Sequence, residues 1–407
     1  MEFILGKLSV KKWMENLDCT YDEVLLDNNQ ICQLNKKNFN DARTNLNKIW
    51  ENNRNINLQK YFNNAKDLIG KVKGRVNEFG KTITNYDINY IRININGSRW
   101  FKEGKGVMVR RSKVKKLPYP FGIYDLEDID KRFDLNLESA ILPYEVLKIL
   151  GESYDGKFYF IESIYTKGYV DKKDIAIVVD NNKWNLFLNP EEIYVVISNT
   201  YENINFGEKL FMGTIIPVEC CNAIIPVRNK FGYAEYKKID CFDKEGLNFG
   251  YLLFTEENIL CQAFKTLGDI YGWGGDFESR DCSSLINEIY RCFGIVIGRN
   301  ASDQVYSGVK SFDLTNMNSE EKKRFISKLP IGSELIFPGH TTLYIGSVLG
   351  EPYILHALSS IGNPNKVLSN GSLERVFVSE IVISDTNIQR VVEGKTFIES
   401  FDVAVCY

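Results

Sequence analysis

Three side chains in this sequence offer chemistry: Cys282, His340 and His356. Cys282 sits between Asp281 and the pair Ser283–Ser284. It opens a stretch in which Leu285, Ile286, Ile289, Tyr290 and Phe293 recur at helical spacing and Gly294 is placed to end the helix. A cysteine in the first turn of a buried helix is the setting of an activated nucleophile, because the helix N-terminus favours the thiolate and the thiolate is the reactive form. Such a nucleophile needs a base to take its proton and a third group to orient that base. The chain has two histidines, 16 residues apart, both downstream of Cys282 and both on strand-like runs, HTTLYIGSV and PYILHAL. A single histidine is commonly structural. One of nine cysteines is commonly a core residue, as Cys261, Cys292 and Cys406 are read here. Cys282 differs by its polar flanks, and the histidines by falling within one hairpin. A loop centred on Val348 would set them opposite each other, with equal parity placing both on one face. A tight turn at Gly350–Glu351 would take them about five residues out of register, so the longer loop is expected.

The turn Y271-G-W-G-G precedes the cysteine. Its glycines permit close backbone approach, and Tyr271, 11 residues before Cys282, could direct its hydroxyl at an oxyanion. It lacks the GxxxxGK[ST] pattern of a phosphate loop.

The elements that must position these groups lie in residues 249–407. Ile259, Leu260, Ala263, Phe264 and Leu267 mark an amphipathic helix ending near Gly268, and the cysteine helix follows. Residues 318–328 are charged and helix-compatible. Strand-like runs then succeed one another: SELIF, HTTLYIGSV, PYILHAL, ERVFVSEIVI and FDVAVCY. Helices followed by antiparallel strands make an α+β pattern. Residues 97–248 read differently. Short strands such as VMVRR, EVLKILGES, KFYFIESI, KGYVDKKDIAIVV, EIYVVIS and AIIPVRN recur every 8 to 12 residues between turn signals, which suggests two small all-β barrels. The break between them is placed near 177–182, where DNNK supplies a turn. Residues 1–96 are Asn-rich and polar, with helical character around 10–17 and 41–69. In the second of these stretches Leu46, Ile49, Trp50, Ile56 and Phe62 form an irregular apolar face. This segment reads as a clip or adaptor without chemistry of its own.

The totals bound the rest. A chain of 407 residues exceeds one domain by the usual size prior, and 25 Phe with 22 Tyr can fill several cores. The net charge of -3 gives no argument for nucleic acid or a membrane surface, and no apolar run approaches the roughly 18 residues of a membrane span. The first residues lack the pattern of an export signal, so a cytoplasmic location is expected if residue 1 is the native start and the cell wall otherwise. Nine cysteines without a CxxC pair, beside two histidines, predict reduced thiols and no metal or cofactor.

These residues carry a resemblance. YGWGG, then DCSS, the helix, GIVIGRNASDQ, PIGSELIFPGHTTLYIG and ILHA are similar to the NlpC/p60 family of cysteine peptidases over residues 249–407. The resemblance implies a papain-like α+β core with Cys282 as nucleophile, His340 as base, His356 as the orienting residue and Tyr271 at the oxyanion site. Ser283, Asn300, Asp303 and Trp273 are the substrate-binding positions it implies. Upstream, RRSKVKKLPY and RFDLNLESAILPYEVLKILGESYDGKFYF resemble a first bacterial SH3 (SH3b) domain, and IIPVRNKFGYAE a second. The expected order is therefore a helical clip at 1–96, SH3b domains at 97–178 and 179–248, and a peptidase domain at 249–407. That order is similar to γ-D-glutamyl-L-diamino acid endopeptidases, which cut murein stem peptides bearing a free N-terminal L-alanine. The implied partners are murein peptides or peptidoglycan fragments. Three positions depart from the family: Ser284 where glycine is frequent, Gly298 where proline is usual, and Asn300 where the free-amine branch often has aspartate. Asparagine accepts a hydrogen bond but carries no charge, which moves amine recognition to a neighbour such as Asp303 or to an acidic group on the first barrel.

Overall fold

The structure, a computed structural model, describes residues 3–4, 9–17, 24–51, 58–128, 130–240, 242–391 and 394–407. Among the described residues three larger antiparallel sheets organise the chain, beside two two-stranded ones. The first has seven strands, in the order Leu137–Ile141, Ser112–Lys115, Lys167–Asp171, Phe158–Glu162, Val146–Glu152, Arg99–Met108, Ile175–Ile177. Its two edge strands do not pair with each other among the described residues, so an open sheet stands where a closed barrel was expected. The second sheet has five strands, from Ala234–Ile239 through Asn222–Arg228, Ile215–Glu219 and Glu192–Val196 to Leu247–Phe249. The DNNK stretch begins a helix, Asn181–Leu188, rather than a simple turn, because the Asp180 side chain caps the Asn182 N–H.

The third sheet carries the two histidines. It runs Phe3–Ile4, Leu373–Asp385, Glu351–Val367, His340–Val348, Glu334–Phe337, Val403–Cys406, Lys310–Asp313. The helices Glu256–Phe264 and Cys282–Arg291 share its core: Leu285, Ile286, Ile289 and Tyr290 are fully buried with Leu343, Leu355 and Ile381. Each such side chain contributes roughly 1.5–3 kcal/mol, so the cysteine helix is fixed by its apolar face and not by intrinsic propensity. Of the cysteines read as core, Cys292 is buried, while Cys261 and Cys406 are half-buried.

The hairpin differs from the expected one. Its loop is a tight two-residue turn, Leu349–Gly350, with Val348 opposite Glu351 and both loop residues left-handed. Left alone, that turn would put the histidines on opposite faces of the sheet. A bulge prevents this: Ile345 and Gly346 together stand against Tyr353, so Tyr344 pairs with Ile354 and Leu343 with Leu355. The extra residue restores parity and makes His340 and His356 diagonal neighbours on one face. Gly346 has φ +105°, and a Cβ there would lie 2.5 Å from Leu17 Cδ2, so the bulge requires glycine.

The N-terminal segment has more helix than expected, in Val10–Met14, Asn28–Asn40, Gln59–Lys71 and Asn85–Asn96. Residues 41–51 hold only a short 3-10 turn, Ala42–Thr44, and Ile56 lies outside the described residues. Capping boxes start two of these helices, Asp27 with Gln30 and Thr84 with Asp87. The Asn-rich composition has a local use. Asn35 and Asn38 donate to the carbonyls of Gly294 and Val296 just past the cysteine helix, at 2.7 and 2.9 Å. Tyr61 packs edge-on to Phe160 of the first sheet, with ring centroids 4.4 Å apart. Among the described residues no helix is long and apolar enough to cross a membrane.

Candidate active site

Cys282 is the first residue of its helix and is half-buried. The Asp281 side chain caps that helix by accepting the Ser284 N–H at 2.8 Å, and the Ser284 hydroxyl accepts the Asp281 N–H at 2.9 Å. Ser284, which departs from the family's glycine, thus completes a capping box. Arg299 closes the cap, with Nη2 2.7 Å from Asp281 Oδ2 and Nη1 3.0 Å from Ser283 Oγ. Its Nε donates to Ser139 Oγ of the first sheet at 2.7 Å. Burial alone would raise the Asp281 carboxyl, but Arg299 holds it below the usual range and so keeps it ionised.

This cap changes the expected state of the thiol. Burial, then the adjacent Asp281 carboxylate, push Cys282 up to about 12, against the pull of the Thr341 N–H, Arg299 and the Ser283 N–H. Burial is the larger of the two causes and outweighs the helix N-terminus, and the ionised Asp281 adds to it. The thiol and its partner are therefore both neutral before substrate arrives.

The Thr341 N–H that draws the thiol down belongs to the residue after His340, and the strand that begins at His340 packs against the Cys282 helix. His340 Nε2 is 3.0 Å from His356 Nδ1, and His356 Nε2 is 3.1 Å from Ser384 Oγ. Phe337 and Phe397 flank His340, and Phe397 also packs on His356, with ring centroids 5.5 to 5.6 Å apart. Burial, then Arg390, bring the His340 imidazole down to about 3, while burial and His340 itself hold fully buried His356 well below the ordinary range. Two neutral rings linked through one proton leave His340 Nδ1 without a hydrogen-bond partner among the described residues. Ser384 and Thr341 were not read from the sequence. Ser384 lies 28 residues beyond His356 and reaches it only through hairpin pairing, opposite Ile354.

Tyr271 is buried, and its hydroxyl is held protonated by burial, then by the nearby Cys282 and Asp281. It remains a donor. The glycines of its turn serve a contact other than the one expected: a Cβ on Gly274 or Gly275 would meet Leu137 Cγ at 2.9 Å or Ala140 Cβ at 2.7 Å. The turn is thus pressed against an edge strand of the first sheet. Phe133, from the loop before that strand, packs on Tyr271 and Trp273 at 6.5 and 5.6 Å. Trp273 is exposed beside it. The other implied substrate positions are largely occupied by intramolecular bonds. Ser283 Oγ is held by Arg299, Asn300 Nδ2 donates to Asp303 Oδ2 at 2.9 Å, and buried Asp303 also accepts from Asn45 at 2.6 Å.

A thiol at a capped helix start, two linked imidazoles and a phenol donor are the side-chain set of a cysteine hydrolase. Residues 268–380, which contain them all, match the family model "NlpC/P60 family", a family of cysteine peptidases; this stretch of the chain is an NlpC/P60 domain. A dipeptidyl-peptidase 6 of Lysinibacillus sphaericus is 31% identical over 94 residues, 23% of this chain. The match spans 30% of the length of that curated relative. Among solved structures, an NlpC/P60 endopeptidase from Photobacterium damselae subsp. piscicida superposes with a TM-score of 0.80 at 19% identity, over 99% of this chain and 97% of that one, which shows a shared fold. An NlpC/P60 family protein from Bacillus cereus gives a TM-score of 0.44 at 15% identity, covering 74% of this chain and 99% of that one.

Proposed function

We propose that the chain is a cysteine endopeptidase that hydrolyses the γ-D-glutamyl-L-diamino acid bond of murein peptides with a free N-terminal L-alanine, in cell-wall turnover or recycling. The observation that carries this reading is the 3.0 Å His340–His356 pair on two strands that pack against the Cys282 helix. In the proposed reaction Cys282 Sγ attacks the peptide carbonyl as His340 takes the thiol proton, since neither group is charged beforehand. Tyr271 and the N–H groups at the helix start stabilise the oxyanion. His340 returns its proton to the leaving amine and then activates the water that frees the enzyme. His356 orients the His340 ring, and Ser384 is a positioning residue that holds the His356 ring through its Nε2.

The first-sheet stretch 97–178 and the second at 179–248 are read as SH3b-type domains that do not act chemically. The first walls one end of the cleft through Phe133 and Arg132, the latter stacked on Phe377 at 3.8 Å. With Asp303 occupied, Glu138 is the acidic group proposed to meet the substrate amine. It is exposed, precedes Ser139, acts on the Arg299 charge and is paired only loosely, with Lys116 Nζ at 3.7 Å. The test is cleavage of L-Ala-γ-D-Glu-L-Lys and its diaminopimelate equivalent against their N-acetylated forms, followed by mass. Cleavage of the free peptides and not the blocked ones is expected, with loss in Cys282→Ala. Equal cleavage of both would remove the amine assignment, and no cleavage of either would remove the bond assignment.

A further inference from the structure

A cation without a role in the proposed reaction lies beside the histidine pair. Arg390 stands past the strand Leu373–Asp385 and is half-buried. Its Cζ is 4.4 Å from the centroid of the Phe337 ring. Phe337 pairs with His340 across the ladder, and the two rings are 5.5 Å apart. The backbone here is laid against the histidine hairpin. The Gly362 N–H donates to the Gln389 carbonyl at 2.9 Å, and a Cβ on Gly362 would meet the Arg390 carbonyl at 2.5 Å. Gly362 has the parity of His356 along the strand Glu351–Val367, so the guanidinium and both imidazoles share one face of the sheet.

This guanidinium differs from the buried ones. Arg111, Arg280, Arg291 and Arg299 each meet a carboxylate oxygen within 3.1 Å. Arg390 has neither an ion pair nor a side-chain hydrogen bond among the described residues. Arg375, opposite Gly362 in the ladder, has no ion pair there either, so no anion offsets the charge. Burial, then Arg390, hold the His340 imidazole down. A fixed cation beside a group that must accept a proton opposes the chemistry, unless an anion arrives with the substrate.

We propose that Arg390 binds the carboxylate of the amino acid that the reaction releases, so that the preferred substrate ends at that residue with its carboxylate free. The inference rests on the proposed peptidase reaction, in which His340 protonates the leaving nitrogen. In an α-amino acid a single carbon separates that nitrogen from the carboxylate. An imidazole hydrogen bond, this N–Cα–C link and a guanidinium–carboxylate pair suit a separation bridged by one phenyl ring. The fork of the guanidinium fits a carboxylate with two parallel hydrogen bonds, and Phe337 supports its plane. The substrate's other carboxylate, on the glutamyl residue, belongs to the acyl half that stays on Cys282. Pairing with Arg390 also cancels the charge beside His340 only in the complex, where the base is needed.

The test compares L-Ala-γ-D-Glu-L-Lys with its C-terminal carboxamide and with the D-isoglutamine analogue whose C-terminus is free. Cleavage is measured on the parent, and binding of the same peptides on Cys282→Ala by calorimetry. The parent should prefer the free acid to the carboxamide roughly 10- to 100-fold in kcat/KM. Arg390→Gln should remove most of that preference by slowing the free acid while leaving the carboxamide no worse. Arg390→Lys should keep part of it, and the D-isoglutamine peptide should behave as the free acid throughout. The acid-to-carboxamide ratio does not depend on the folded fraction, so lost stability cannot imitate the effect. A ratio unchanged by Arg390→Gln, or a preference that follows the glutamyl carboxylate instead, would overturn the inference. Absence of all cleavage would count against the peptidase reading. The binding ratio on Cys282→Ala, with and without Arg390→Gln, then decides the role of Arg390, and equal binding of acid and carboxamide, or none, overturns it.

Discussion

The two ends of the cysteine helix are each tied to the first-sheet region through a buried arginine, and the two ties are finished to different degrees. At the thiol end, Asp281 accepts from the Ser284 and Gly274 N–H groups and from Arg299, and the Arg299 Nε donates to Ser139. At the far end, Arg291 bonds Glu145 and the Gly213 carbonyl, but the Tyr144 hydroxyl is buried without a partner among the described residues. A network with many charge-assisted bonds admits few geometries, which suits a nucleophile. The far end instead leaves one buried polar atom unpaired, at a cost in stability.

Substitutions at the arginines test the contrast most strongly. Arg299→Met leaves Asp281 buried and unpaired, and should lower stability by about 3–5 kcal/mol in urea melts. Any folded fraction should fail to cut the tripeptide, because the cap that fixes Cys282 is lost. The paired replacement Glu145→Leu with Arg291→Met removes both charges at the far end. It should change stability by less than about 1–2 kcal/mol and leave turnover per folded molecule intact. Equal loss of activity from the two ends would erase the distinction.

The thiol end also makes a pH prediction. The free enzyme reacts from a neutral pair, and the His340 imidazole lies near 3. It accordingly stays unprotonated as pH falls from 7 to 5, and kcat/KM should hold nearly level over that range. An ordinary imidazole of pKa about 6.5 would become protonated and lose about thirtyfold by pH 5. A decline of that size would mean that burial does not govern the ring. The smallest effect concerns Ser384. Ser384→Ala should lower kcat by up to about tenfold at unchanged KM, and Ser384→Thr should restore it. A stability loss without a change in kcat would make Ser384 merely structural.

The thiol site was legible in the sequence because its residues are rare and its helix is strongly periodic. Two histidines in 407 residues leave few alternatives, and Leu285, Ile286 and Ile289 show which face is buried. The thiol's protonation state was not legible, since it follows first from how deeply the fold buries Cys282 and then from the ionised Asp281 at the helix start. The hairpin register was misread because its turn sits at Leu349–Gly350 and the compensating bulge is signalled by one glycine, Gly346. An isolated glycine in a strand is a bulge signal, and it was available. The helices at 28–40 and 85–96 were missed for a different reason. Asparagine blurs their periodicity, although the D-x-x-Q and T-x-x-D caps stand in the sequence. Ser384, Ser139 and Phe133 could not be found by spacing at all, because sheet pairing and the contact of two domains bring them in.

The Ile345–Gly346 bulge also limits how this hairpin can change by inheritance. Residues can be inserted in the Leu349–Gly350 loop without disturbing the ladder beyond it. With that turn kept, deleting Gly346 would set Ile345 alone against Tyr353 and leave Tyr344 opposite Ile354, so the ladder would run on unbulged with both rings on one face. Deleting a second residue from the same strand would set His340 against Ala357 and turn the two rings to opposite faces. The bulge residue is therefore the one position of spare length in this strand, and a sequence lacking it should keep every other residue between His340 and the turn.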